Sequence, residues 1–252
     1  MEQPFLLSEV SLLSFVLIGA VALFASILGG IGGGGAGLMI VPLLVPIVGV
    51  KAVVPLMAVS GLLSNCSRVL AFRHHMEPRI SMAFLLPAIP GAIVGASIYS
   101  MLSATALYGI LGAFLVLYIP MRRFMESRSL LLKTRGVAVV GAGYGVLAGN
   151  LSGTGALVAA TLLGAGVMGP ALIAGKAIIH VGTSLVKIGM FGAYDLLGFQ
   201  LALAGFLMGA CMTPGAFIAR WIVTRIDLSI HTKFIEIVIL IGGLSLLYRV
   251  FV

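Results

Sequence analysis

The chain has 252 residues, of which 61% are hydrophobic and 9% are charged, and its mean hydropathy is +1.23. A soluble domain carries about 25% charged residues, so this composition excludes a soluble enzyme or binding domain and is typical of a polytopic membrane protein. The net charge of +8 does not indicate nucleic-acid binding, because the basic residues fall mainly in a few short loops, as the positive-inside rule expects.

The first half of the chain predicts a helix, a glycine-rich loop and a short apolar piece, followed by three membrane spans. The helix covers 10–28, the loop covers 29–37, and the apolar piece covers 38–50. A bilayer needs about 20 residues to cross, so the short piece is predicted to end inside it. The three predicted spans are 52–72, 80–100 and 105–121.

The second half repeats this order after the basic segment 122–135. Short apolar pieces flank a second loop, and three spans follow; the pieces are 136–148 and 157–169, the loop is 149–156, and the spans are 171–192, 198–217 and 234–251. With an offset of 120 residues, the first loop lies on the second and Ser64 lies on Ser184. We therefore expect a first transmembrane repeat at 1–121, a basic cytoplasmic linker at 122–135 and a second repeat at 136–252.

The distribution of basic residues predicts the relative orientation of the two repeats. The basic loops 73–79, 122–135 and 220–233 are expected in the cytoplasm. Each half is then one hairpin plus three crossings, an odd number, so the halves have opposite orientations. The predicted fold is an all-α polytopic membrane protein with two inverted-topology repeats. Each repeat is a re-entrant or broken-helix hairpin with a glycine-rich loop plus three transmembrane helices, and such loops are tolerated where they line a cavity.

The two loops are candidate substrate-binding elements. Bare backbone at the start of a half-helix lets an anion approach free N–H groups at the positive end of the helix dipole. The predicted binding residues are Gly32, Gly33, Gly34 and Gly35 in the first loop and Asn150, Ser152 and Thr154 in the second. The alternative is that the glycines only allow close helix packing.

A second set of polar residues lies within the spans. These are Lys176, His180, Ser184 and Lys187 on one face of 171–192, and Ser64 and Asn65 on 52–72. Ionisable residues inside a membrane are costly and are candidates for function. Alternatively, the hydroxyls bond the preceding turn, and Lys176, Lys187 and Arg68 extend to the headgroups. Since no acidic residue lies at a span centre, the set favours an anionic substrate.

The sequence predicts no catalytic residues, no metal site and no cofactor. It lacks a Ser/His/Asp set, an HExxH motif and a carboxylate pair at recognisable spacing. The chain is therefore expected not to be an enzyme.

The glycine-rich motif GGIGGGGAGLMIVPLL, residues 29–44, resembles the signature of the sulfite exporter TauE/SafE family. GNLSGTGA, residues 149–156, resembles the family's second half-signature, and Gly182-Thr183-Ser184 fits the helix that follows it. The second loop departs from the pattern in having fewer glycines and no proline near Leu162, where the first half has Pro42. The resemblance implies export or uptake of small anions, typically sulfite, sulfonates or related sulfur-containing or organic acids.

Together, these features predict a secondary transporter of a small anion, an exporter or a permease, that works by alternating access as one repeat rocks against the other. It is expected in the inner (plasma) membrane as a multi-pass protein. Its expected partners are a small anionic substrate and the lipid bilayer, not nucleic acid; a homo-oligomer and coupling to protons remain open. The alternatives are an anion channel and a membrane-embedded sulfur-handling enzyme or accessory protein.

Overall fold

The computed structural model of the chain describes residues 12–31, 36–127, 132–223 and 231–250. These ranges are helical and contain no β-strand, which confirms the all-α class. The helices are α1 (Leu12–Ile31), α2 (Ile40–Val48), α3 (Val50–Ala71), α4 (Pro78–Met101), α5 (Ala104–Ser127), α6 (Thr134–Asn150), α7 (Gly155–Gly164), α8 (Gly169–Ala193), α9 (Phe199–Val223) and α10 (His231–Tyr248).

Five of the described helices are long and apolar enough to cross a membrane: α3, α4, α8, α9 and the part of α5 over Ala104–Met121. In contrast, α2 has 9 residues and α7 has 10. At 1.5 Å per residue these two helices extend about 15 Å, half of the hydrocarbon thickness. The helix that follows each loop is therefore short, as the sequence predicts.

The first arm of the second hairpin is longer than predicted. We expected a helix over 136–148 and a loop from Gly149, but α6 continues through Gly149 to Asn150. Gly141, Gly145 and Gly149 recur every four residues and lie directly against the backbone of α4. This close backbone packing outweighs the low helix propensity of glycine, which costs about 1 kcal/mol per residue.

Two segments that the sequence assigns to loops are partly helical. In the predicted basic linker 122–135, the residues up to Ser127 belong to the end of α5, and the residues from Thr134 belong to the start of α6. Likewise α9 extends to Val223 and α10 begins at His231, inside the predicted loop 220–233. In the first half, α1 continues to Ile31, past the predicted helix end at Leu28.

The helices of one half pack mainly against helices of the other. α1 packs against α9 and α6 packs against α4, while α3 packs against α9 and α8 packs against α4. The pairs α3–α8 and α5–α10 join equivalent helices of the two halves. The helices also begin at equivalent positions: α8 and α9 start at residues 169 and 199, which an offset of 120 places at 49 and 79, within one residue of the starts of α3 and α4 at 50 and 78. The core is thus shared between the halves.

The ends of the two glycine loops lie next to each other. Gly153 has a left-handed φ of 81°, and a Cβ there would overlap the side chain of Leu38, which follows the first loop and is 1% exposed. Leu38 therefore fits against the second loop only because position 153 has no side chain. This junction places the start of α7 next to the α3–α8 pair.

Candidate functional site

A cavity of about 130 Å³ lies between α3 and α8, next to the second loop and the start of α7. α3 contributes Met57, Ser60, Gly61, Ser64, Asn65 and Arg68, and α8 contributes Ile173, Lys176, Ala177, His180, Ser184 and Lys187. Residues 151–155 line the cavity beside α7, and Ala25, Tyr144 and Met212 complete it from α1, α6 and α9. Helices of both halves therefore form its walls.

Most of the residues predicted from the sequence line this cavity. These are Ser64, Asn65, Ser152, Thr154, Lys176, His180, Ser184 and Lys187. Asn150 does not line it, because Asn150 ends α6 and its Nδ2 donates a hydrogen bond to Val146 O at 3.0 Å within that helix. Gly32, Gly33, Gly34 and Gly35 lie outside the described residues.

The cavity is lined by positive charge. Lys176 is 9% exposed and Lys187 is 7% exposed, so both are buried within the protein rather than extended along its surface. Arg68 adds a guanidinium from α3, and none of the described lining residues is an Asp or Glu. Burying charges of one sign together costs several kcal/mol, so an anion in this cavity would stabilise the arrangement.

Arg68 is held in place by two other helices. Its Nη2 donates to Ser26 O at 3.1 Å and to Ser26 Oγ at 3.2 Å, and Ser26 Oγ in turn donates to Met212 O at 2.7 Å. Its Nη1 donates to Asn65 Oδ1 at 3.3 Å, and its buried Nε has no hydrogen-bond partner within the described segments. The spacing of the sequence indicates that Arg68 faces the same side as the polar residues of α3, because Ser60, Ser64 and Arg68 recur every four residues.

Neutral donors complete the lining. The hydroxyls of Ser64 and Ser152 are buried and have no hydrogen-bond partner among the residues that the structure describes. A buried hydroxyl left without a partner costs about 1–3 kcal/mol, so both are poised to donate to a ligand. Thr154 and Gly155 bring the N-terminus of α7 to the cavity, and no side chain caps that terminus. Its backbone N–H groups carry the positive end of the helix dipole.

Tyr144 is a lining residue that the sequence analysis missed. Its hydroxyl accepts a hydrogen bond from Thr154 Oγ1 at 3.0 Å and lies 3.3 Å from His180 Nδ1. Tyr144 is buried, and it joins the loop before α7 to the middle of α8. Nothing in the apolar, glycine-rich stretch around it distinguishes this tyrosine from a core residue.

Other chemistry is not assembled here. Among the described residues, no group of three or more His, Cys, Asp or Glu side chains is placed to hold a metal ion. Cys66 and Cys211 are both exposed, and neither lines the cavity. The arrangement suits binding of an anion by cations and hydrogen-bond donors.

Comparison with known proteins identifies the family of the chain. The family model described as Sulfite exporter TauE/SafE matches residues 18–246, a range that includes both loops and every residue lining the cavity. No curated protein and no solved structure matches the chain significantly. The chain therefore belongs to the sulfite exporter TauE/SafE family, a family of membrane transporters.

Proposed function

We propose that the protein is a secondary transporter that carries a small anion across the inner (plasma) membrane by alternating access. The observation that carries this proposal is the cavity between α3 and α8, where Arg68, Lys176 and Lys187 converge without an acidic residue in the described lining. Two buried hydroxyls, Ser64 Oγ and Ser152 Oγ, have no partner in the described part of the chain and add donors to the same space. Such a set matches an anion that accepts hydrogen bonds on several sides.

The substrate class follows from the family and from the donors. We propose sulfite, a sulfonate or a related sulfur-containing or organic acid, because each carries several oxygen acceptors on a small, negatively charged group. A cavity of about 130 Å³ suits a compact anion better than a large amphiphile. The cationic residues would attract the anion, and the neutral donors would orient it.

The proposed mechanism uses two inverted repeats. Support comes first from the helix positions: with an offset of 120 residues, α8 and α9 begin within one residue of α3 and α4. It comes also from the packing, because α1 packs against α9 while α6, its counterpart in the second half, packs against α4. Inverted repeats place the substrate near the midplane, between broken helices. With the basic loops in the cytoplasm, α2 and α7 would enter the membrane from opposite sides.

Flux into proteoliposomes tests the proposal. Wild-type protein should take up radiolabelled sulfite or a labelled sulfonate, and excess unlabelled anion inside should drive transient accumulation of label by counterflow. Lys187→Met removes the charge but keeps an apolar side chain, and it should weaken the apparent affinity about tenfold or more. Lys133→Met, at an exposed position outside the cavity, is the matched control and should transport normally.

Two results would overturn the proposal. The first is an absence of flux with every small anion tested. The second is uptake that never shows counterflow and instead gives ohmic conductance in planar bilayers, which would identify a channel. Equal loss of uptake in Lys187→Met and Lys133→Met would contradict the assignment of the cavity as the binding site.

A further inference from the structure

We propose that Tyr144 is a positioning residue that fixes the tautomer of His180, so that the imidazole carries its proton on Nε2. In this state the ring offers an N–H donor to the cavity. The proposal deepens the proposed function and rests on it only for the effect on transport.

The hydrogen-bond chain sets the direction of the protons. Thr154 Oγ1 donates to the Tyr144 hydroxyl at 3.0 Å, so the hydroxyl's own hydrogen is directed elsewhere. Two side chains near the hydroxyl could accept that hydrogen, His180 and Thr183. Of the two, His180 Nδ1 lies within hydrogen-bond distance, at 3.3 Å, and the proposal assigns the hydrogen to it. An Nδ1 that accepts a hydrogen bond carries no proton, and the neutral ring must then be protonated on Nε2.

The other ring nitrogen is available for a ligand. His180 lines the cavity between Lys176 and Lys187 on α8 and faces Arg68 on α3. The contact with Tyr144 uses Nδ1 and leaves Nε2 on the other side of the ring. A neutral donor among the cations therefore adds a directional contact to an anion, where a lysine adds mainly charge.

Packing holds Tyr144 in the position that this role requires. Its ring meets the buried Phe84 of α4 edge to face at a centroid distance of 5.0 Å, and it meets the His180 ring at 6.4 Å. Gly145 beside it is fixed against the α4 backbone. The hydroxyl therefore stays between Thr154 and His180. Through these two contacts, Tyr144 on α6 links the second loop to α8.

The test combines nuclear magnetic resonance with transport. In protein labelled with ¹⁵N at histidine, the His180 signals, assigned by their loss in His180→Gln, should show an unprotonated Nδ1 and a protonated Nε2. Tyr144→Phe keeps the ring and its contact with Phe84 but removes the hydroxyl. It should redistribute the His180 tautomers and raise the KM for the anion about fivefold, with a smaller change in kcat.

Matched variants separate this role from a loss of folding. Thr154→Ser keeps the donor and should retain the wild-type His180 signals, whereas Thr154→Val should shift them in the same direction as Tyr144→Phe. Tyr99→Phe removes another buried hydroxyl, which bonds Val50 O, and should leave His180 unchanged. A protonated Nδ1 in the wild type, or unchanged signals in Tyr144→Phe and Thr154→Val, would overturn the proposal. The resonance result stands even if no flux is found, a finding that would count against the proposed function alone.

Discussion

The contact between α4 and α6 makes a quantitative prediction about stability. In Gly145→Ala, the new Cβ would overlap Ala88 O and lie 2.9 Å from both Ala88 C and Ala92 N, closer than real Cβ atoms come to other atoms. All three are backbone atoms, so the two helices must separate. Overpacking of this kind costs about 1–3 kcal/mol.

A neighbouring glycine provides the matched control. Gly143 lies on the same helix and is exposed. None of the described residues has an atom within 4 Å of the place that an alanine Cβ would occupy there. Both substitutions gain the same helix propensity, about 1 kcal/mol, so the difference in unfolding free energy between the two variants isolates the packing cost. We expect Gly145→Ala to be less stable than Gly143→Ala by about 1–3 kcal/mol.

The difference is measured by unfolding the purified protein in mixed micelles with increasing sodium dodecyl sulfate, followed by circular dichroism. Gly143→Ala should be as stable as the wild type or more so. If Gly145→Ala matches Gly143→Ala in this titration, the helices do not meet backbone to backbone at this position, and the explanation for the length of α6 fails with it.

Two further substitutions probe the cavity. Ser64→Ala removes a buried hydroxyl that has no partner among the described residues, so the unfolding free energy should stay level or rise by up to about 1 kcal/mol while the KM for the anion increases. Ser67→Ala loses a hydrogen bond to Ser64 O and should lower the unfolding free energy without raising the KM. The same effects in both variants would refute the assignment of Ser64 to the binding site. Arg68→Lys keeps the charge but cannot reproduce the contacts with Ser26 and Asn65, so stability should fall by about 1–2 kcal/mol. Arg220→Lys should lose less stability, because a lysine can replace its one hydrogen bond to a backbone carbonyl. Thermal unfolding in detergent measures both losses, and equal losses would contradict the role of the Ser26 and Asn65 contacts in holding Arg68.

The parts of the fold that follow from hydropathy could be predicted from the sequence. Long apolar runs indicated the spans, and the spacing of Lys176, His180, Ser184 and Lys187 placed them on one helix face, which lines the cavity. Five of the six predicted spans are helices long and apolar enough to cross a membrane. Period and hydrophobicity are local properties of the chain, so they can be read from the sequence. The family resemblance, carried by the motif at 29–44, is confirmed by the match over residues 18–246.

The features that could not be predicted depend on partners distant along the chain. Gly149 and Asn150 were assigned to a loop because glycine disfavours helices, yet the backbone of α4 stabilises α6 through that point. Arg68 is retained in the cavity by Ser26, which is distant in sequence. Tyr144 gains its role only from the proximity of Thr154 and His180. Such tertiary contacts override local propensity.

The backbone contact between α4 and α6 also bears on which parts of the molecule can move as rigid bodies. α4 belongs to the first half of the chain and α6 to the second, yet their main chains meet along three successive turns. Helices joined in this way cannot slide or part without breaking that contact, and α1 also packs against a helix of the other half, α9. Alternating access would then divide the protein into bodies that each combine helices of both repeats, instead of one repeat rocking against the other. A covalent link between α4 and α6 should leave transport intact, whereas a link between α3 and α8 across the cavity should arrest it.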